Sequence, residues 1–132
     1  MDFDLRYVIK DDYSNTLTKW WESWGWNPPP YDMLPSNGFI ISKNGVDICA
    51  GFIYSTDSKA SWLEYIVSNK EYKDSDRASA IEMLINCLSA KAKEMGFKYI
   101  YTSLKNKPLI KKYENCGFMK GDSNCQEMIK IL

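Results

Sequence analysis

The chain contains no histidine among its 132 residues, which removes Ser-His and Cys-His nucleophile pairs and every His-ligated metal. Proton transfer then falls to carboxyl, tyrosine, lysine or cysteine side chains, or to water. Cys49, Cys87, Cys116 and Cys125 show no C-x-x-C spacing. Their patterned surroundings predict buried free thiols, rather than a zinc site or a disulfide framework, and a reducing compartment. Trp20, Trp21 and Trp24 recur at helical spacing, and Trp26 and Tyr31 lie in a stretch holding Pro28, Pro29, Pro30 and Pro35. Irregular loops over a sheet face often form binding walls, so Trp24, Trp26 and Tyr31 are candidates for a substrate pocket, with core packing the competing role for the helical tryptophans. Lys105, Lys107, Lys111 and Lys112 form a basic cluster, readable as a phosphate contact or as a solvated face.

Lys plus Arg and Asp plus Glu each number 17, so no net field favours nucleic acid or an anionic membrane surface. The 45% apolar content excludes a disordered chain, and the apolar runs are too short to span a bilayer. The length predicts a single domain, residues 1–132, with a sizeable core. The first residues carry no basic flank or apolar stretch of a secretory signal, which points to the cytoplasm.

These residues need elements to position them. Leu5, Tyr7 and Ile9 alternate with Arg6, Val8 and Lys10 as a short first strand. A helix follows, capped by Asp12 or Ser14, with Tyr13, Leu17, Trp20, Trp21 and Trp24 on one stripe and Gly25 at its end. The proline-rich segment to Pro35 must be irregular, since proline neither continues a helix nor donates to a central sheet. Gly38 to Ser42 and Val46 to Tyr54 are apolar runs joined through Asn44-Gly45, the signature of a type I′ hairpin. Ser61 to Val67 adds a third antiparallel strand. From Ser75 the period changes: Ala78, Ile81, Leu84, Ile85, Leu88, Ala92 and Met95 mark a long amphipathic helix closed by Gly96. Phe97 to Ser103 reads as a buried strand. Pro108, Leu109, Ile110 and Tyr113 give a short helix stopped by Gly117, and Phe118 to Leu132 reads as a terminal strand pair interrupted by Gly121 to Asn124. A crossover helix places Ser61 to Val67 and Phe97 to Ser103 side by side in parallel. The expected fold class is α+β, a mixed and mostly antiparallel sheet.

This order resembles the GNAT superfamily, the acyl-CoA dependent N-acyltransferases, over nearly the whole chain. The second half carries the most specific likeness: Val67 ending a strand, Tyr72 and Lys73 in the next loop, the helix to Met95, Gly96-Phe97, the strand Tyr99 to Thr102, and Asn106, Leu109, Tyr113 and Gly117-Phe118. The resemblance implies a central splayed parallel strand pair with helices on both faces. It implies that the strand bearing Tyr65, Ile66 and Val67 exposes backbone to the pantetheine arm of acetyl-CoA. The loop Lys73, Ser75, Asp76, Arg77 and Ala78 would hold the pyrophosphate, and Asn106 would contact pantetheine or order the site. Tyr113 matches the acid that protonates the leaving thiolate. Glu64, the one carboxylate on the splayed strand, becomes the candidate base. Packing gives a rival reading of each: a solvent-facing strand residue for Glu64, a core aromatic for Tyr113.

The chain departs from the family at the phosphate loop, where Q/R-x-x-G-x-G/A is replaced by Lys73-Asp74-Ser75-Asp76-Arg77-Ala78. Glycine lets phosphate oxygens approach backbone N–H groups at a helix start. Asp76 brings a Cβ and a negative charge, so it is expected to weaken cofactor binding, and Lys73 and Arg77 to offset part of that. The expected activity is transfer of an acetyl group from acetyl-CoA to the amine of a small molecule or peptide, by a monomer or homodimer, with no metal. The alternatives are a degenerate member of the same fold serving as a binding module, and a structural subunit using the aromatic loop as an interface.

Overall fold

The structure is a computed structural model that describes residues 2–132. Its core is one five-stranded sheet in the order β1-β2-β3-β4-β5. The strands are β1 Asp4–Tyr7, β2 Asn37–Lys43, β3 Val46–Tyr54, β4 Ala60–Ser68 and β5 Tyr99–Tyr101. The first four pair antiparallel and β4 pairs parallel with β5, as the crossover order predicts. Asn44 and Gly45 both adopt positive φ, 51° and 77°, the conformation a type I′ turn demands and one that glycine reaches without strain.

Helices cover both faces. The first runs from α1 Lys10–Asp12 through a π-helical segment, Tyr13–Leu17, into α2 Thr18–Ser23. It buries Leu17, Trp20 and Trp21 against Ile40, Ala50, Phe52 and Val67. On the other face α3, Arg77–Glu94, sets Ala80, Ile81, Leu84, Ile85 and Leu88 against Phe39, Ile41, Ile53 and Leu63. The alternation Phe39, Ile40, Ile41 divides between the two clusters because successive strand side chains point to opposite faces. The last helix, α4 Lys107–Asn115, packs Leu109 and Tyr113 onto the α3 layer.

Residues 118–132 form no strand, contrary to the terminal pair expected from their apolar content. β5 is therefore the outer strand, and the parallel pair stands at the sheet margin rather than at its centre. The physical reason lies in Phe118. Its N–H donates to the Tyr113 carbonyl at 3.1 Å and its ring meets Tyr113 edge-on at 4.9 Å, so it closes the end of α4 instead of starting a strand. The apolar residues beyond, Met128, Ile129, Ile131 and Leu132, remain exposed. Local β-propensity specifies no pairing where no register is imposed. Cys125 is likewise exposed rather than buried, whereas Cys49 is fully enclosed and Cys87 and Cys116 are half-buried. Among the described residues no helix is long and apolar enough to cross a membrane.

Candidate active site

The two parallel strands meet only over Ala60↔Tyr99, Ser61↔Ile100 and Trp62↔Tyr101. Beyond Trp62 the β5-facing edge of β4 has no strand partner, which leaves an unpaired edge along Leu63–Ser68, the slot beside the chain leaving β5. On its other side β4 stays paired to β3, with Glu64 opposite Phe52 and Val67 opposite Ala50. Tyr65 and Ile66 together face the single residue Gly51, which makes a β-bulge, and Tyr65 takes φ 60°. The extra residue reverses the facing of the strand. Leu63 and Ile66, three apart, join the α3 cluster, while Tyr65 and Val67 join the α2 cluster. Gly51 is required there: a Cβ would come within 2.9 Å of Ile66 Cγ1 and 3.0 Å of Leu88 Cδ1. A glycine within a strand run was the sequence signal for the bulge.

Two of the expected chemical groups converge on the slot. The Glu64 carboxylate leaves β4 and its Oε1 accepts the Ser103 N–H at 2.9 Å. The buried Tyr113 lies against Thr102, the preceding residue, and within the field of Glu64. Burial pushes the Glu64 carboxyl above its usual range; the Ser103 N–H opposes this and the charge of Glu127 adds to it. Burial also pushes the Tyr113 phenol up, against the contact with Thr102 and with the help of the Glu64 charge. The pair thus comprises a carboxylate of increased basicity and a phenol that keeps its proton. Glu64 is a half-buried residue with a defined partner, not a solvated strand residue.

The loop after β4 is built by Asn69. Its N–H donates to Ile48 O at 2.7 Å, its Nδ2 to Asp47 O at 3.0 Å, and its Oδ1 accepts the Glu71 N–H at 3.0 Å. That Asx turn fixes where α3 begins. Asp76 stands at the N-cap position without capping the helix. Its Oδ2 accepts from Lys43 Nζ at 2.7 Å and its Oδ1 from the Tyr72 hydroxyl at 2.7 Å. These two donors hold the Asp76 carboxyl below the usual range, and the hydrogen bond to Asp76 is the main cause that lifts the Tyr72 phenol to about 12. The negative charge expected to face a phosphate is thus matched by a lysine from the end of β2. Neither the backbone nor the Asp76 side chain caps the N–H groups of Ala78 and Ser79, so the first turn of α3 keeps donors of the kind an anion uses. Lys73 and Ser75 are exposed and Arg77 is half-buried beside them.

Other expected residues have partners of their own. Asn106 Oδ1 accepts the Leu109 N–H at 2.9 Å, which makes it the N-cap of α4. Trp24 pairs with Trp26, and Tyr31 with Tyr13. Trp24 Nε1 donates to Ser68 O at 2.9 Å and its ring stacks on Trp26 at 6.2 Å, at the far end of β4. Tyr31 instead lies edge-on to Tyr13 at 5.4 Å, under Lys10. Lys43, Lys70 and Asn69 escaped the sequence reading, because their roles arise from strand ends that only the sheet brings together.

No protein-family model matches the chain, and a comparison with curated proteins finds no match. Solved structures do. An acetyltransferase of Trypanosoma brucei superposes with a TM-score of 0.67 at 18% identity, covering 97% of this chain and 100% of that one. Glucosamine-6-phosphate N-acetyltransferase of Arabidopsis thaliana gives 0.70 at 12% identity, covering 98% and 100%. AAC(6')-Iy, in complex with the bisubstrate analogue CoA-S-monomethyl-acetylneamine, gives 0.65 at 15% identity, covering 99% and 100%. At these identities the likeness establishes the fold, and the chain has the GNAT fold.

Proposed function

We propose that the protein is an N-acyltransferase that moves an acetyl group from acetyl-CoA to the amine of a small molecule or peptide. The observation that carries this reading is the slot: an unpaired, bulged strand edge with Glu64 and Tyr113 meeting at residues 102–103. An open strand edge complements the amides of a pantetheine arm as it would an added strand, so Tyr65, Ile66 and Val67 are the proposed contacts. The helix start with Lys73, Ser75, Asp76, Arg77 and Ala78 would receive the pyrophosphate. Asn106 would act on the site indirectly, by starting α4 and so placing Tyr113. The neighbouring AAC(6')-Iy structure holds a CoA-linked analogue, which supports a cosubstrate of this type.

The chemistry follows from the two groups. Glu64, directly or through a water, takes the proton of the substrate ammonium. The free amine nitrogen attacks the thioester carbonyl, forming the C–N bond, and backbone N–H groups of the bulged segment steady the oxyanion. Collapse breaks the C–S bond, the Tyr113 hydroxyl donates its proton to the departing sulfur, and the second proton lost from the attacking nitrogen passes through water to the phenolate and restores it. Burial that keeps Tyr113 protonated and makes Glu64 more basic suits both roles.

A second reading rests on Asp76, which fills the place of a glycine: the same fold serving as a binding module without turnover. Calorimetric titration with acetyl-CoA, followed by measurement of thiol release with a panel of primary amines, separates the two. Binding with thiol release supports the enzyme. Binding without release from any amine supports the module, and no binding at millimolar acetyl-CoA overturns the enzyme.

A further inference from the structure

Trp24 ends the first helical run, and its indole is fixed to the end of β4 through Ser68 O. Lys70 Nζ stands 5.0 Å and the Arg77 guanidinium carbon 5.7 Å from the centre of that ring. Trp26 stacks beside it with an interplanar angle of 26° and is 49% exposed. Among the described residues neither cation has a carboxylate partner. Lys70 donates to Ser23 O at 3.2 Å and Arg77 to Tyr72 O at 3.4 Å. Both are bonded only to carbonyl oxygens, which leaves their charge unneutralised beside two indoles.

The ligand complementary to this arrangement has a planar aromatic ring and phosphate groups. We infer that Trp24, Trp26, Lys70 and Arg77 form a nucleotide platform at the end of β4, where α3 begins. A purine stacks on the open face of Trp26, since base–aromatic stacking needs only a π-face. Its phosphates meet Lys70 and Arg77, whose charge-assisted hydrogen bonds suit phosphate oxygens. Within the acyltransferase reading, on which the choice of nucleotide rests, the ligand is the adenosine bisphosphate end of CoA. The platform supplies from side chains the anchoring that a glycine-rich loop supplies from backbone. It explains how Asp76 is tolerated: its charge is held by Lys43 and Tyr72, and two further cations face the ligand.

The test is titration of the wild type, Trp26→Ala and the double variant Lys70→Gln/Arg77→Gln with CoA, adenosine 3′,5′-bisphosphate and pantetheine. Calorimetry and tryptophan fluorescence are the readouts, and circular dichroism checks the fold. Trp26 and Lys70 are exposed, so folded variants are expected. Each variant should weaken CoA and the bisphosphate about tenfold and leave pantetheine unchanged, and the double variant should flatten the salt dependence. Undiminished CoA affinity in both variants overturns the platform and leaves the acyltransferase reading standing. Variant-sensitive bisphosphate binding without thiol release from any amine overturns the acyltransferase and keeps the platform. Binding of neither CoA nor bisphosphate by the wild type overturns both.

Discussion

Glu64 and Tyr113 carry the sharpest residue-scale expectations. The folded protein holds the Glu64 carboxyl above its ordinary value of 4.5, so the folded state binds its proton more readily than the unfolded chain does. The stability linked to this group is complete below that value and is lost as pH rises through the folded one. Glu64→Gln keeps an oxygen for the Ser103 N–H and never ionises. Its melting temperature should therefore gain on the wild type as pH rises above the ordinary carboxyl range through the raised folded value, while turnover falls by about 10² to 10⁴. A melting difference independent of pH would remove the buried-carboxylate account. Tyr113→Phe should cost a similar factor in turnover and leave acetyl-CoA affinity intact. Equal turnover would assign Tyr113 to packing. Asp76 has the opposite sign, since Lys43 and Tyr72 hold it below its ordinary 3.8. Its contribution is present above that value and is lost as pH falls through the lower folded one. Asp76→Asn should be less stable than the wild type at neutral pH and converge with it in strong acid. This revises the expectation that Asp76 simply repels phosphate: replacing it also frees a lysine and unfastens α3 from β2.

At the scale of elements, the bulge decides whether β4 can present its edge. Gly51 has no room for a Cβ against Ile66 and Leu88, and both neighbours lie in or against the α3 cluster. Gly51→Ala should cost about 1–3 kcal/mol of stability by overpacking, read as a lowered denaturant midpoint. It should also weaken acetyl-CoA binding by displacing the bulge. A stable variant with wild-type affinity would show that the bulge tolerates its partner changing. Alternation and turn chemistry located β2, β3 and β4 in the sequence. Gly51 inside a strand run was the local hint of the bulge, but the packing that demands it, against Ile66 and against Leu88 37 positions away, arises only in the folded chain.

The whole molecule couples its tail to the slot. Residues 119–132 are exposed, yet the Glu127 charge reaches Glu64 and Tyr65 and raises both. Removal of residues 119–132 should leave the cooperative melt nearly unchanged, since little buried contact is lost. It should also move the acid limb of the pH–rate profile downward, because Glu64 loses a like charge. A large loss of stability would mean that the tail packs on β5 in solution, and an unmoved acid limb would detach Glu127 from the site.

By itself the sequence determined the strand and helix order up to α4, the Asn44-Gly45 turn and the parallel crossover, which follow from local periodicity and backbone preference. The choice of Glu64 and Tyr113 came from the likeness of the second half to the acyltransferase family, narrowed by the absence of histidine. Tertiary structure alone decided which strand edge lay open and where Asp76 spent its charge. It also decided that Trp24 stands by Lys70, Arg77 and Trp26, and that the last residues form no strand. Each of those outcomes depends on distant segments meeting. A hydrogen bond from Lys43 to Asp76, or an indole anchored to Ser68, is set by the register of the assembled sheet, to which local pattern is blind.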